Sequence, residues 1–298
     1  MTYKIIHKTT YKYKQAVSFG SHVAYLSPRS QPRQVCESHQ LLVTPIPAAM
    51  YERVDYFGNS FAFFTVQERH DELKIEARSR VIAGGPAVKW PECTPAWDEV
   101  IRSLPRDLSA AGLDAYQFVF ESPRVPRNAE FAAYASPSFV PGRPLAAALL
   151  DFTGRIYKDF RFDSKATTVR TSPVEVLRSK RGVCQDFAHL QVACLRSLGL
   201  AARYVSGYIR TYPPPGRPRL IGADASHAWT SVYCPEVGWL DVDPTNNLIP
   251  SDGHVTLAWG RDYSDVSPVR GVILGGRDHK LEVGVDMEPI ESKDDTAI

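Results

Sequence analysis

The chain has 298 residues, of which 44% are hydrophobic and 23% charged, and a net charge of +2. That is enough apolar material for a sizeable core in one large or two ordinary domains, at roughly 150 residues each. So small a charge gives no footing for nucleic acid or an anionic membrane surface, and no apolar run approaches the ~18 residues needed to span a bilayer.

The first ten residues, Met1 to Thr10, are polar and carry no apolar signal core. The expectation is a cytoplasmic protein. The five cysteines, Cys36, Cys93, Cys184, Cys194 and Cys234, are irregularly spaced and contain no C-x-x-C pair. They read as reduced thiols rather than disulfides or a zinc knuckle. Residues 1 to about 85 read as strands. Tyr3 to Tyr11 is rich in β-branched and aromatic residues, and Gln40 to Thr44 stops at Pro45. Asp55-Tyr56-Phe57-Gly58-Asn59 is a turn before the β-prone run Ser60 to Val66, and Leu73 to Ile82 alternates with period two.

Residues 86–96, with Pro86, Pro91 and Pro95, read as a linker. Beyond it, 97–117 and 143–158 look helical, the latter carrying Leu145, Leu149, Phe152 and Ile156 on one face. A further helix starts near Cys184. Phe187, Leu190, Cys194, Leu195 and Leu198 recur at three- and four-residue steps, and Gly199 follows as a stop. Strands are expected over 202–209, 227–233 and 239–243, with a proline-rich loop, 212–218, after the first and a tight turn at Pro235 to Gly238. The division is a β-domain over 1–85, a second domain over 97–290, and a polar tail over 291–298. The fold class is α+β, with a helix packed on an antiparallel sheet.

Cys184, His227 and Asp243 form the most informative constellation. A nucleophilic cysteine must be a thiolate, which a helix N-terminus and a neighbouring imidazolium both favour. The base in turn needs an orienting partner. With the turn centred on Pro235, His227 and Asp243 would face each other across a hairpin; a later turn would offset them diagonally. Each residue alone has a plainer reading: a core thiol, a structural imidazole, a turn carboxylate. Asp241 shares the strand face and competes with Asp243.

Gly182-Val183-Cys184-Gln185-Asp186-Phe187-Ala188-His189, Ser226-His227-Ala228-Trp229, Gly238-Trp239 and Asp243-Pro244-Thr245 resemble the bacterial transglutaminase-like family of the papain-like cysteine-enzyme superfamily. The segment His254 to Val266 resembles the stretch after the triad in that family, and the β-rich region resembles its N-terminal domain. The resemblance picks Asp243 over Asp241. It implies attack of Cys184 on an amide, a thioester intermediate, and release to water or to an amine. Members of this bacterial group are regarded as cysteine proteases, so a peptide or protein amide is the expected substrate. The runner-up readings are transamidation of protein glutamine and an inactive peptide-binding module.

No twelve-residue calcium loop is present, and no metal or cofactor is expected. The backbone N–H of Cys184 is the one oxyanion donor that can be named. Trp229, Asp186 and Tyr263 are candidate substrate contacts; Asp186 reads more simply as a helix cap, while Trp229 reads equally as cleft wall or core, and Tyr263 with Arg261 and Asp262 equally as cleft wall or as a loop fixed by a buried ion pair. His189 reads as packing beneath the site.

Overall fold

The computed structural model describes residues 1–84, 94–211 and 225–290. The expected proline-rich loop at 212–218, the polar tail and most of the expected linker lie outside them. In chain order the elements begin with β1 (Thr2–Ala24), β2 (Gln34–Thr44), β3 (Ala49–Val54), β4 (Ser60–Val66) and β5 (His70–Ala83). A helical stretch follows with α1 (Trp97–Ser103), α2 (Ala110–Tyr116), α3 (Ala129–Ala135) and α4 (Leu145–Asp159). Next come β6 (Arg161–Phe162), α5 (Pro173–Ser179), β7 (Arg181–Gly182) and α6 (Cys184–Ser197). The last part holds β8 (Ala202–Ile209), β9 (Ala225–Cys234), β10 (Gly238–Val242), β11 (His254–Gly260), α7 (Tyr263–Val266), β12 (Val269–Gly275) and β13 (His279–Ile290).

The fold is α+β. A large antiparallel sheet runs β2-β5-β1-β4-β3, and a second antiparallel sheet runs β10-β9-β8-β11. β1 organises the first. Its burial alternates strictly along Thr2–Thr9, the period-two mark of a strand with one covered face. Over residues 2–13 it pairs with β13, and over 17–24 with β12 and β4. The chain's last strands therefore cross back to the first sheet. This departs from the expectation that 97–290 forms one unit. Lys280 to Glu288 alternates apolar and polar residues, and its register lays Val285 and Met287 into the core beside His7 and Ile5. Burial of that face draws the strands across.

The expected helix over 97–117 is broken. Pro105 lies in a short 3-10 turn after α1, and α2 restarts with Ser109 as N-cap, its side chain accepting the Gly112 N–H at 3.0 Å. The helix expected to present one apolar face, α6, is buried all round. It packs on β8 and β9 on one side and on α3 and α5 on the other. Even Gln191 and Arg196 are enclosed. Gln191 donates to the Thr153 hydroxyl at 2.9 Å, and Arg196 donates to the carbonyls of Ala202 and Arg261. Pairing of the Arg196 guanidinium and of the Gln191 amide nitrogen offsets part of the cost of carrying them on a central helix. Gly199, at φ +93°, ends it as expected.

The two sheets meet through one core. Tyr3, Ile5, Val81, Val285 and Met287 of the first pack with Tyr204, Tyr208, Ala228, Val255 and Leu257 of the second. Two amide side chains also join them. Gln34 accepts from the N–H of Thr256 and donates to its carbonyl, both at 2.7 Å. Asn59 does the same with Trp259, at 2.9 and 2.8 Å. These bonds satisfy the outer edge of β11, which has no further strand beside it.

Candidate active site

Cys184 is the first residue of α6 and is half-buried. The preceding strand pair fixes the entry of the helix: β7 runs parallel to β6, with Arg161 level with Arg181. Asp186, in the first turn, accepts from the Val183 N–H at 2.8 Å and from the Thr167 hydroxyl at 2.6 Å. Gly182 makes room for it, because a Cβ there would lie 2.8 Å from the Asp186 carboxylate. The N–H groups of Cys184 and Gln185, in the first turn, have no intrahelical acceptor.

His227 lies near the start of β9, directly opposite Gly207 of β8. A side chain at Gly207 would strike the Trp229 ring at 2.5 Å and the Val255 carbonyl at 2.2 Å, so glycine lets that indole lie close. The β9–β10 turn is centred one residue later than Pro235. Val242 stands opposite Thr230, which puts Asp243 level with Trp229 and diagonal to His227. The directly opposed register is thus replaced by its diagonal alternative. Both side chains share a face, and His227 Nε2 reaches Asp243 Oδ2 at 2.7 Å. The other ring nitrogen is left for Cys184, which lines the same cleft as His227 and contributes to raising the imidazole's pKa. Asp241 makes no such contact; its place is on the far side, beside Trp229 and His254.

Asp243 is fully buried. Its Oδ2 accepts from His227, from Asn246 Nδ2 at 2.7 Å and from His254 Nε2 at 3.3 Å. Its Oδ1 accepts the N–H groups of Thr245 and Asn246, at 2.9 and 3.3 Å. Burial would raise the carboxyl's pKa. The hydrogen bonds from His227, His254 and Asn246, with the imidazolium charge, outweigh it and hold the group well below the usual carboxylate range. His227 shows the complement. Burial would depress it, but hydrogen bonds and charge from Asp243 and Cys184 raise its pKa to about 10.

The other expected contacts divide. Tyr263 lines the cleft that contains Cys184. Trp229 does not: it is 1% exposed and packs behind His227, with ring centroids 6.1 Å apart. Asp186 is buried and spent on capping α6. His189 accepts the Tyr263 N–H at 3.1 Å, and burial lowers its pKa to about 4, so it braces that loop as a neutral ring. Asp262 caps α7 through the Ser264 N–H, while Arg261 pairs with Asp265 at the surface. Tyr204 and Tyr208 are core.

Sequence reasoning gave no role to His254 or Asn246. Asn246 lay within reach of it, since an Asp followed by Pro-Thr-Asn signals a turn folded onto the carboxylate. His254 comes from β11, and only the strand order brings it to Asp243. The first sheet's share of the cleft was also unseen. Its wall is formed by His7, Thr9 and Tyr11 of β1 with Leu281 and Val283 of β13, around a cavity of about 340 Å³.

By donor type, His227, Asp243 and His254 could hold a metal ion, with ligand atoms within 4.8 Å of one another. The carboxylate oxygen they share already accepts three hydrogen bonds, and His227 sits in direct contact with it. A cation would have to displace that network.

Comparison with known proteins bears on the family and the fold. Residues 3–82 match the bacterial transglutaminase-like N-terminal region, and 141–244 match the transglutaminase-like superfamily. An uncharacterised protein of Mycobacterium tuberculosis is 39% identical over 97% of this chain and 93% of its own length. One from Mycobacterium leprae is 30% identical over 95% and 97%. A protein-glutamine gamma-glutamyltransferase of Pseudomonas aeruginosa is 31% identical, over 40% of this chain and 17% of its own. The crystal structure described as "a Putative Cysteine Protease from Cytophaga hutchinsonii" superposes with a TM-score of 0.74 at 22% identity, covering 98% of this chain and 92% of that one, which shows a shared fold. The chain belongs to the transglutaminase-like superfamily, with the bacterial transglutaminase-like N-terminal region ahead of its core.

Proposed function

We propose that this protein is a cysteine-dependent amide hydrolase acting on peptide or protein substrates through a thioester. The observation that carries this reading is the meeting in one cleft of Cys184, at the start of α6, and His227, whose Nε2 reaches the buried Asp243 at 2.7 Å. Asp243 holds the imidazole in orientation and favours its charged form, and the imidazolium favours the thiolate.

The Cys184 thiolate attacks the amide carbonyl carbon. The first-turn N–H groups of α6 are suited to receive the oxyanion. The C–N bond then breaks as His227 gives its proton to the leaving nitrogen, and an acyl thioester remains. Water, its proton taken by His227, attacks that carbonyl. The C–S bond breaks, and acid and thiolate are released. Residues on this chain suffice for both steps, so no metal enters the scheme. Tyr263 contacts substrate from the cleft wall, while Trp229 and Asp186 support the site from behind. Among the described residues no helix is long and apolar enough to cross a membrane. We place the protein in the cytoplasm, whose reducing conditions keep a reactive thiol free.

A primary amine in place of water would give transamidation, the activity named for the Pseudomonas relative. Mass spectrometry after incubation with glutamine-containing peptides, with and without an amine, separates the two. New termini lost in Cys184→Ala support hydrolysis; ammonia release with amine incorporation supports transamidation. Full turnover in a folded Cys184→Ala variant would refute the nucleophile.

A further inference from the structure

One apolar strip of the first sheet changes character along its length. On the face of β1 and β13 towards the second sheet, Ile5 stands opposite Met287 and His7 opposite Val285. These four are buried, with at most 1% exposure. The next two rungs are Thr9 opposite Val283 and Tyr11 opposite Leu281. Here the strip runs out from under the second sheet. Val283 and Leu281 are 53% and 50% exposed, yet they point the same way as the core residues before them, because strand side chains repeat with period two. Both line the cleft that holds Cys184, together with Tyr263 and Val269.

The charge of this cleft is as telling as its shape. Among its described lining residues none is Asp, Glu, Lys or Arg. His7, at its inner end, lies 2.8 Å from the Tyr208 hydroxyl and 2.9 Å from that of Thr9. Burial lowers its pKa to about 4, so it is neutral. The remaining charge in the lining is that favoured on His227, whose pKa is raised. Lys12 and Glu282, on the opposite faces of the same two strands, bond to each other at 3.2 Å rather than entering the cleft. An apolar floor beside a nucleophile, with no charged group to pair an incoming one, stabilises an uncharged side chain and leaves a charged one desolvated.

We propose that Tyr11, Leu281, Val283 and Tyr263 form the subsite for a large apolar or aromatic side chain next to the scissile amide. The substrate class is then peptides with such a residue beside the amide that Cys184 attacks, with charged residues disfavoured there. The bacterial N-terminal sheet and the returning C-terminal strand together supply this selectivity. The inference rests on Cys184 being the nucleophile, and its test separates the two.

The test is affinity labelling of the full-length protein, followed at the Cys184 peptide by mass spectrometry. In each reaction the thiolate carbon–sulfur bond forms and a halide leaves. Iodoacetamide, which carries no side chain to fill the strip, reports on the thiol alone. N-acylated phenylalanyl and leucyl chloromethyl ketones are compared with their aspartyl and lysyl counterparts, each rate divided by that of iodoacetamide. The expected ratio of apolar to charged reagents is about tenfold or more, the value of burying one large apolar side chain. It should fall towards one in Leu281→Asp and in Val283→Asp, both half-exposed positions, with folding checked by circular dichroism. A ratio near one in the unmodified protein, or one unchanged in both folded variants, overturns the subsite while leaving the nucleophile standing. Iodoacetamide reacting with Cys184 no faster than with glutathione refutes the nucleophile, and the subsite with it.

Discussion

Asp243 is held by more hydrogen bonds than an ordinary turn carboxylate. Two backbone N–H groups take Oδ1, and His227, His254 and Asn246 share Oδ2. The arrangement favours charge on both Asp243 and His227, and the signs differ. The depressed carboxyl contributes stability that is complete above its unfolded pKa of ~3.9 and is lost as pH falls through its lower folded value. The raised imidazole contributes stability complete below ~6.5 and lost as pH rises towards about 10. The pair is therefore at full strength between roughly pH 4 and 6.5, and weakens steadily above. Catalysis should feel the same shift, because the imidazolium must give its proton to the leaving group. We expect the basic limb of the pH–kcat/KM profile to lie near the raised value rather than near ~6.5. In Asp243→Asn that limb should move down, with kcat reduced by about 10²–10⁴-fold. An unmoved limb would mean that Asp243 does not set the charge of His227. Of this network the sequence displayed Cys184, His227 and Asp243 through their motifs. It gave no local sign of His254, whose contact depends on which strand lies beside β8.

At the scale of elements, β11 matters most for keeping that network in register. It is an edge strand of the second sheet, and it carries His254 at its start. Its outer edge is met by side chains, with Gln34 bracketing Thr256 and Asn59 bracketing Trp259. Arg29 adds a flat contact, its guanidinium 3.5 Å above the Trp259 ring. Gln34→Leu preserves volume but strands the buried N–H of Thr256, while the Thr256 carbonyl keeps the N–H of Arg29. The expected cost is about 1–3 kcal/mol, read as a lower urea midpoint at unchanged m-value. A neutral result would mean that water replaces the amide and that β11 is positioned by packing alone. The turn containing Asn59 was legible as a turn, from its Asp and Gly. Its docking was not, because nothing in Asp55 to Asn59 specifies a partner two hundred residues away. Helix α4, β4 and β8 fell close to their expected bounds, since each is a strongly patterned run closed by Pro, Gly or a turn. The stretch 97–117 misled because Pro105 and Asp107 break an otherwise helical composition.

The whole molecule is closed by the return of the chain's last strands to its first. β1 has two neighbours along most of its length only because β13 covers residues 2–13 and β12 covers 17–24. The sequence held the signal in the alternation of Leu281, Val283, Val285 and Met287, but period two identifies a strand and not its partner. The consequence is that the N-terminal region and the core share strands: the sheet that precedes the core is completed by residues from beyond it. A chain ending at Pro268 would retain every residue of the proposed triad. It would also leave one edge of β1 unpaired over residues 2–13 and uncover Tyr3 and Ile5, which pack against Val285 and Met287. Exposed strand edges and apolar faces of this kind drive association. We expect the truncated chain to run as aggregates in size-exclusion chromatography, and the amides of residues 2–13 to lose protection from hydrogen exchange. Were it instead monomeric with those amides still protected, the first sheet would be stable without its returning strand. The role of β13 would then shrink to the cleft wall formed by Leu281 and Val283, where loss of selectivity with retained thiol reactivity is the remaining expected effect.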